Sequence, residues 1–183
     1  PQLDTILQTA LMSQEELVDA FGLRVDPAPL LVTYHPVTLE YEQTEWQVQE
    51  LLEALRLANL PVVFTMPNAD TNHRVIRRLV EAFVKRHAWA QCIPNLGPRG
   101  YLSLMRYTAA MVGNSSSGIV EAPSFALPVV NIGTRQQGRL RAANIIDVGY
   151  AHQEIIRGVA QALDPAFRRR LRGISNPYGD GHA

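Results

Sequence analysis

Short apolar runs alternate along the chain with segments in which apolar residues recur every three or four positions. The short runs predict buried strands at residues 30–34, 61–66, 90–93, 109–112, 128–132 and 145–148. The recurring positions predict amphipathic helices around residues 48–55, 76–84 and 152–163. Strands that are apolar throughout and alternate with helices are typical of a parallel sheet covered on both faces. We therefore expect an α/β fold with a Rossmann-like, doubly wound parallel sheet.

Turn and capping signals refine this outline. Ser13 followed by Glu16 matches a capping box, and Gly22 is placed to end that helix. The Gly-Pro-Arg-Gly sequence at 97–100 predicts a turn, followed by a short helix over 101–107. A further helix is predicted from Gly118.

Polar segments follow several of the predicted strands. They are residues 34–36, 67–70, 114–118 and 133–135. In doubly wound sheets, ligands bind beyond the carboxyl ends of the strands. Because these loops follow different strands of one predicted sheet, we expect them to converge on one edge and form a binding site.

The loop between Gly113 and Gly118 has the sequence Gly-Asn-Ser-Ser-Ser-Gly. Backbone N–H groups and hydroxyls at the start of a helix bind phosphate. The loop has no lysine, which argues against a Walker-type triphosphatase, and its glycine spacing differs from that of a nucleophile elbow. Ordinary N-capping by one serine remains an alternative.

Glu121 follows this loop and is expected one turn into the helix. It does not complete a Ser-x-x-Glu box, because the residue three positions earlier is Gly118. An ionised carboxylate can accept hydrogen bonds from both hydroxyls of a ribose. Its alternative role is that of a first-turn acid complementing the helix dipole. The serine loop and the Glu121 carboxylate together predict a site for a nucleoside diphosphate.

Three other residues are candidates for the same site. Arg135 lies between Gly133 and Gly138, with Arg139 directly after the second glycine. Arg135 suits a clamp on phosphate oxygens, or is a solvated surface residue. His35 lies at a strand end before a proline, and is either a site residue or a structural histidine. Tyr101 is placed to stack on a base or to pack in the core.

Composition narrows the function classes. Lys and Arg number 17, as do Asp and Glu, so the net charge is zero and a nucleic-acid partner is disfavoured. The arginine run at 168–172 is interpreted as a solvated helix end. The single cysteine, Cys92, excludes an internal disulfide and suits a reducing, cytoplasmic compartment. Histidine spacing predicts no metal, no cofactor is expected, and no apolar run is long enough to span a membrane.

Two motifs together carry a family resemblance. Gly-Asn-Ser-Ser-Ser-Gly-Ile-x-Glu-Ala-Pro from Gly113, and Pro-Val-Val-Asn-Ile-Gly-Thr-Arg-Gln-x-Gly-Arg from Pro128, closely resemble the UDP-N-acetylglucosamine 2-epimerases. The segments 32–38, 66–70, 95–97 and 176–181 support this resemblance. Pro-Val-Thr after His35 is similar to the hydrolysing, sialic-acid-pathway branch, where the non-hydrolysing branch has basic residues.

The resemblance implies roles for individual residues. Ser115 and Ser116 would bind the diphosphate of UDP and Glu121 the ribose hydroxyls. Tyr101 takes the place of an aromatic that stacks on uracil, and Leu96 that of a backbone contact to the base. Arg135 and His35 would face the phosphates and the cleft, with His35 a possible catalytic residue. The reaction implied is anti elimination of UDP followed by addition of water.

The resemblance also implies a domain organisation. The family has a GT-B-like fold of two Rossmann-like domains, and this chain is similar to the C-terminal one. We expect an interdomain linker at 1–12, the UDP-binding domain at 13–175 and the start of a tail at 176–183. The main catalytic acids would then lie in the missing N-terminal domain, and the full-length protein would be a homo-oligomer. By itself the domain is expected to bind UDP without turnover.

Two other enzymatic functions and one non-catalytic function remain open from the sequence. One is a GT-B glycosyltransferase that uses a UDP-sugar. The other is a related epimerase that acts on a UDP-diacetamido sugar or a GDP-sugar. A non-catalytic nucleotide-sensing domain would use the same loop.

Overall fold

The computed structural model describes residues 10–66 and 73–179. Six parallel strands form one sheet in the order β3-β2-β1-β4-β5-β6. The strands are β1 (Leu30–Thr33), β2 (Val62–Thr65), β3 (Ala90–Ile93), β4 (Ala110–Gly113), β5 (Val129–Ile132) and β6 (Ile145–Val148). The helices are α1 (Gln14–Phe21), α2 (Thr44–Ala58), α3 (Arg74–Arg86), α4 (Gly97–Met105), α5 (Ser116–Val120), α6 (His152–Leu163) and α7 (Pro165–Arg170).

Apolar side chains cover the sheet on both faces. Leu30 and Val32 of β1 belong to a core cluster that includes Leu55 of α2 and Ile155 of α6. Leu31, between them, belongs to a second cluster on the other face, together with residues of α1 and α4. Alternation of side chains along a strand explains this division. The predicted α/β class with a doubly wound, Rossmann-like sheet is confirmed.

The strand order reverses between β1 and β4. The chain adds β2 and β3 on one side of β1, then returns to pair β4 with its other side, Thr33 facing Gly113. Loops that leave two such neighbouring strands diverge to opposite faces of the sheet, which opens a crevice between them. The loops that begin at Tyr34 and Asn114 flank this crevice. The sequence predicted that they meet at one edge of the sheet, but not the strand order that makes them neighbours.

Several predicted elements are confirmed. Ser13 Oγ accepts the N–H of Glu16 at 3.1 Å, and the Glu16 carboxylate accepts the N–H of Ser13 at 3.3 Å, which completes the capping box. The predicted strands at 90–93 and 145–148 and the helix at 152–163 have the observed bounds of β3, β6 and α6. The predicted loop at 67–70 and most of the linker lie outside the described residues.

Other expectations were wrong. Residues 97–100 were predicted as a turn but form the first turn of α4, where Pro98 is tolerated because no intrahelical N–H is needed there. Helix α5 begins at Ser116, not Gly118, and ends at Val120. Glu121 therefore lies just beyond α5, not inside it. The 3-10 segments Thr38–Gln43 and Ala122–Phe125 were not predicted.

No helix in the described residues combines the length and the apolar character that crossing a bilayer requires.

Candidate functional site

A cavity of about 570 Å³ opens at the carboxyl ends of β1, β2 and β3. Thr33, Thr65 and Ile93, the last residues of these strands, form its floor. Four of the predicted site residues line it: His35, Leu96, Tyr101 and Ser115. Ser116, Glu121 and Arg135 lie outside this lining. The structure thus places a cavity at the predicted edge and brings part of the predicted site into its wall.

Gly113 allows the loop after β4 to lie against β1. Its φ is +145°, and a Cβ added there would come within 1.9 Å of the Thr33 carbonyl oxygen. No side chain fits in this space. The glycine that opens the serine loop is therefore a steric requirement of the β1–β4 contact.

Asn114 joins the loops after β1 and β4. It is fully buried; its side-chain carbonyl accepts the His35 N–H at 2.8 Å, and its amide donates to the His35 carbonyl at 2.9 Å. This reciprocal pair fixes the backbone of His35. Sequence reasoning counted Asn114 within the loop but assigned it no role. Its amide, which both donates and accepts, was the available signal.

The loop after β5 is attached to the same residue. Arg135 Nη1 and Gln136 Nε2 each donate to the backbone carbonyl of Asn114 at 3.0 Å. Gln136 is buried, whereas Arg135 is exposed. Asn114 therefore connects the three predicted loops that the structure describes, those after β1, β4 and β5.

The serine turn contains the capping interaction considered as an alternative. Ser115 Oγ accepts the Ser117 N–H at 3.2 Å and lies 2.9 Å from Ser117 Oγ. The Ser116 hydroxyl forms no hydrogen bond with the described residues. Since α5 has only five residues, its dipole is small. Any affinity for anions must come mainly from hydroxyls and from N–H groups that a first helical turn leaves unpaired.

Tyr101 lies in the cavity wall with its ring against the apolar layer. Its hydroxyl is buried and lies near the hydroxyls of Thr33, Ser115 and Ser117, but no group among the described residues pairs with it in good hydrogen-bond geometry. Burial raises the pKa of Tyr101, so the phenol keeps its proton. Buried hydroxyls are normally paired, and this one marks the wall next to the serine turn as a place for a further polar group.

Burial also shifts the pKa values of ionisable groups at this edge. It lowers the pKa of His35 to about 4, helped by the charges of Arg135 and His73, so the imidazole is neutral at pH 7. Burial raises the pKa of Glu121, whose carboxylate forms no hydrogen bond or ion pair with the described residues. Burial and the charge of Arg139 lower the pKa of Arg135. An anion placed near Arg135 would favour its charged form.

Within residues 10–66 and 73–179, no group of three or more His, Cys, Asp or Glu side chains is arranged to hold a metal ion.

The fold and this edge define a Rossmann-like domain with a polar site at its topological switch point. The profile of the family described as UDP-N-acetylglucosamine 2-epimerase matches residues 1–183, the whole chain. The chain belongs to this family.

Curated relatives agree with this assignment. The chain is 42% identical over 138 residues to a GDP/UDP-N,N'-diacetylbacillosamine 2-epimerase (hydrolyzing) of Campylobacter jejuni, covering 74% of this chain and 36% of the relative. It is 34% identical over 181 residues to the UDP-N,N'-diacetylbacillosamine 2-epimerase (hydrolyzing) of Legionella pneumophila, covering 99% and 47%. The chain therefore spans less than half the length of these relatives.

Solved structures of the family have the same fold. An S. aureus MnaA–UDP co-structure superposes with a TM-score of 0.75 at 19% identity, covering 98% of this chain and 48% of that chain. At this identity the likeness concerns the fold alone, and the fold is one half of a GT-B-like architecture.

Proposed function

We propose that this chain is the UDP-binding part of a hydrolysing nucleotide-sugar 2-epimerase. The observation that carries the proposal is the attachment of three loops to Asn114, next to the cavity at the carboxyl ends of β1, β2 and β3. This arrangement gathers a neutral imidazole, serine hydroxyls and a guanidinium at one edge of the sheet. Such a set suits a diphosphate, which needs several donors at once.

In this proposal each residue has a defined task. Ser115 and Ser116 donate to the diphosphate, and the Arg135 guanidinium, held beside the serine turn, donates to it as well. The carboxylate of Glu121, which has no other partner in the described residues, accepts the ribose hydroxyls. Leu96 and Tyr101 lie where the base would enter the cavity.

The proposed reaction is elimination of UDP from the sugar, followed by addition of water to the resulting double bond. Negative charge grows on the diphosphate as the bond to the sugar breaks. Ser115, Ser116 and Arg135 stabilise this charge without reorganising, because the loop is already fixed. His35, neutral at pH 7, gains a proton more readily once the dianionic phosphate lies close to it. The remaining acid and base groups are proposed to lie outside this chain.

The proposed substrate is UDP-N-acetylglucosamine, giving N-acetylmannosamine and UDP in a sialic-acid pathway. A diacetamido sugar is a second candidate, because the two relatives above are named for diacetylbacillosamine. Both reactions require the same nucleotide site. They are distinguished by supplying each nucleotide sugar to the natural protein that contains this chain, with no acceptor added, and identifying the free sugar released. Product that forms only when an acceptor is present would instead show a glycosyltransferase.

A UDP titration of the 183-residue chain tests the site itself. We expect calorimetry to show specific binding without turnover, and Ser115→Ala combined with Glu121→Ala to weaken it by about 100-fold or more, since bonds to charged groups contribute about 1.5–3 kcal/mol each. Gln161→Ala combined with Glu15→Ala, both exposed and on helices outside the serine turn, is the control. Equal binding by the two double variants, or epimerase turnover by this chain alone, would contradict the proposal.

A further inference from the structure

The loop that carries Arg135 has a second attachment, at the preceding residue. Thr134 Oγ1 donates to Glu40 Oε2 at 2.6 Å. Glu40 lies in the 3-10 segment Thr38–Gln43, which follows β1 and the His35 turn. One carboxylate thus connects the segment after β1 to the loop after β5.

Glu40 is held in place from its other oxygen. Its Oε1 accepts Gln47 Nε2 at 3.3 Å, and Gln47 Oε1 in turn accepts the Tyr34 hydroxyl at 2.6 Å. Gln47 and Tyr34 are both buried. The position of the Glu40 carboxylate is therefore set by a hydrogen-bonded chain that ends in the core beside β1.

Tyr150 also contacts Thr134, close to the Glu40 carboxylate. Its hydroxyl lies 3.4 Å from the Thr134 backbone nitrogen. Gly133 packs directly against the Tyr150 ring, since a Cβ added at this glycine, whose φ is +75°, would come within 2.3 Å of the ring. Thr134, one residue before Arg135, is thus held by contacts to both Glu40 and Tyr150.

We propose that Glu40 is a positioning residue for Arg135, which it directs toward the diphosphate by holding Thr134. This inference rests on the proposed function of the site. With Thr134 fixed and the Arg135 guanidinium on the Asn114 carbonyl, the arginine is confined to a small set of positions beside the serine turn. A restrained loop loses less conformational entropy when it binds, so the restraint increases affinity for UDP.

The sign of the effect distinguishes positioning from simple charge. Removing the negative charge of Glu40 would by itself strengthen the binding of an anionic nucleotide. Positioning requires the opposite result. We expect Glu40→Ala to weaken UDP binding by about 5- to 20-fold, which corresponds to about 1–2 kcal/mol.

A double-mutant cycle tests whether Glu40 acts through Arg135. UDP dissociation constants are measured for the wild-type chain, Glu40→Ala, Arg135→Ala and the double variant. We expect the double variant to bind UDP with a dissociation constant within about 2-fold of that of Arg135→Ala. Once the arginine is absent, the hold of Glu40 on Thr134 no longer affects UDP binding. Glu42→Ala, an exposed change in the same segment, is expected to bind like the wild type.

Thr134→Val breaks the same contact from the other side and leaves Glu40 bonded to Gln47. Thr134→Val should weaken UDP binding by the same roughly 5- to 20-fold factor expected for Glu40→Ala. It provides the test if Glu40→Ala does not fold. Additive effects in the cycle, or unchanged binding by Thr134→Val, would overturn the inference. Absence of UDP binding by the wild-type chain would instead overturn the proposed function, so the two failures are distinguishable.

Discussion

A single arginine, Arg135, and a cluster of three arginines near the C-terminus differ in how the fold holds them. Arg135 is exposed, yet its guanidinium donates to the carbonyl of a fully buried asparagine at the carboxyl edge of the sheet. Arg168, Arg169 and Arg172 are also exposed and line a cavity of about 460 Å³ with Ala126. Their guanidiniums form no hydrogen bond or ion pair with the described residues. Exposure is similar in the two groups, but only Arg135 is fixed.

Location separates the two groups as well. Arg135 follows β5, where parallel strands present their carboxyl ends and ligands bind. Ala126 precedes β5, so the other group lies toward the amino ends of the strands. The larger cluster of arginines therefore lies at the opposite edge of the sheet from the proposed nucleotide site, and no hydrogen bond to the described residues holds its guanidiniums. The three predictions below test this comparison.

The largest effect is expected from a glycine pair, one glycine in each region. Gly113 and Gly173 both have positive φ, but a Cβ at Gly113 would strike the Thr33 carbonyl, whereas nothing lies within 4 Å at Gly173. Gly113→Ala should reduce the free energy of unfolding by about 3 kcal/mol or more through forced backbone movement. Gly173→Ala should cost about 1–2 kcal/mol from backbone strain alone. Urea denaturation measures the free energy of unfolding of both variants. Equal losses of stability would show that Gly113 is not sterically required at the β1–β4 contact.

The next effect concerns the arginines themselves. Arg135→Ala should weaken UDP binding by about 10- to 100-fold, because a charge-assisted bond to phosphate is lost. Arg169→Ala removes the same charge from the other edge and should change the dissociation constant by less than about 2-fold. Calorimetry with UDP compares the two variants. If both weaken binding equally, net charge and not placement controls affinity.

The smallest effect is a pH dependence of stability that comes from His35. Its pKa is about 4 in the folded chain against 6.5 for a free imidazole, so the unfolded state takes up a proton first as the pH falls. Stability should therefore decrease between pH 6.5 and pH 4. We expect about 1–2 kcal/mol from this group, since water reaches part of the ring.

Denaturation of the wild type and of His35→Gln at several pH values measures this contribution. The variant should lose less stability than the wild type over that interval. Parallel curves for the two proteins would show that burial does not keep His35 neutral.

The sequence was sufficient for the elements whose signals are local. Apolar runs predicted β3 and β6 at their observed bounds, and the Ser13–Glu16 pair predicted the start of α1. The start of α5 was predicted two residues late because a run of three serines offers several possible caps, and only packing selects Ser115. Glu121 lies beyond the helix because α5 ends at Val120.

The candidate site was predictable only in part. The edge was predictable, because loops after parallel strands must meet there, and His35, Leu96, Tyr101 and Ser115 do line one cavity. The hydrogen bonds that join the loops were not predictable, because Asn114 and Glu40 bond to residues 79 and 94 positions away along the chain. Nothing in a single sequence indicates such pairs. The ligand roles of the predicted residues stay predictions.

Chemical-shift mapping of UDP on the isotopically labelled chain tests the central claim most directly. We expect the amide signals of residues 96–101, 113–118 and 133–136 to shift on addition of UDP, and those of residues 168–173 to stay unchanged. Shifts concentrated at residues 168–173, or no shifts at millimolar UDP, would contradict the claim that the β1–β4 switch point is the nucleotide site.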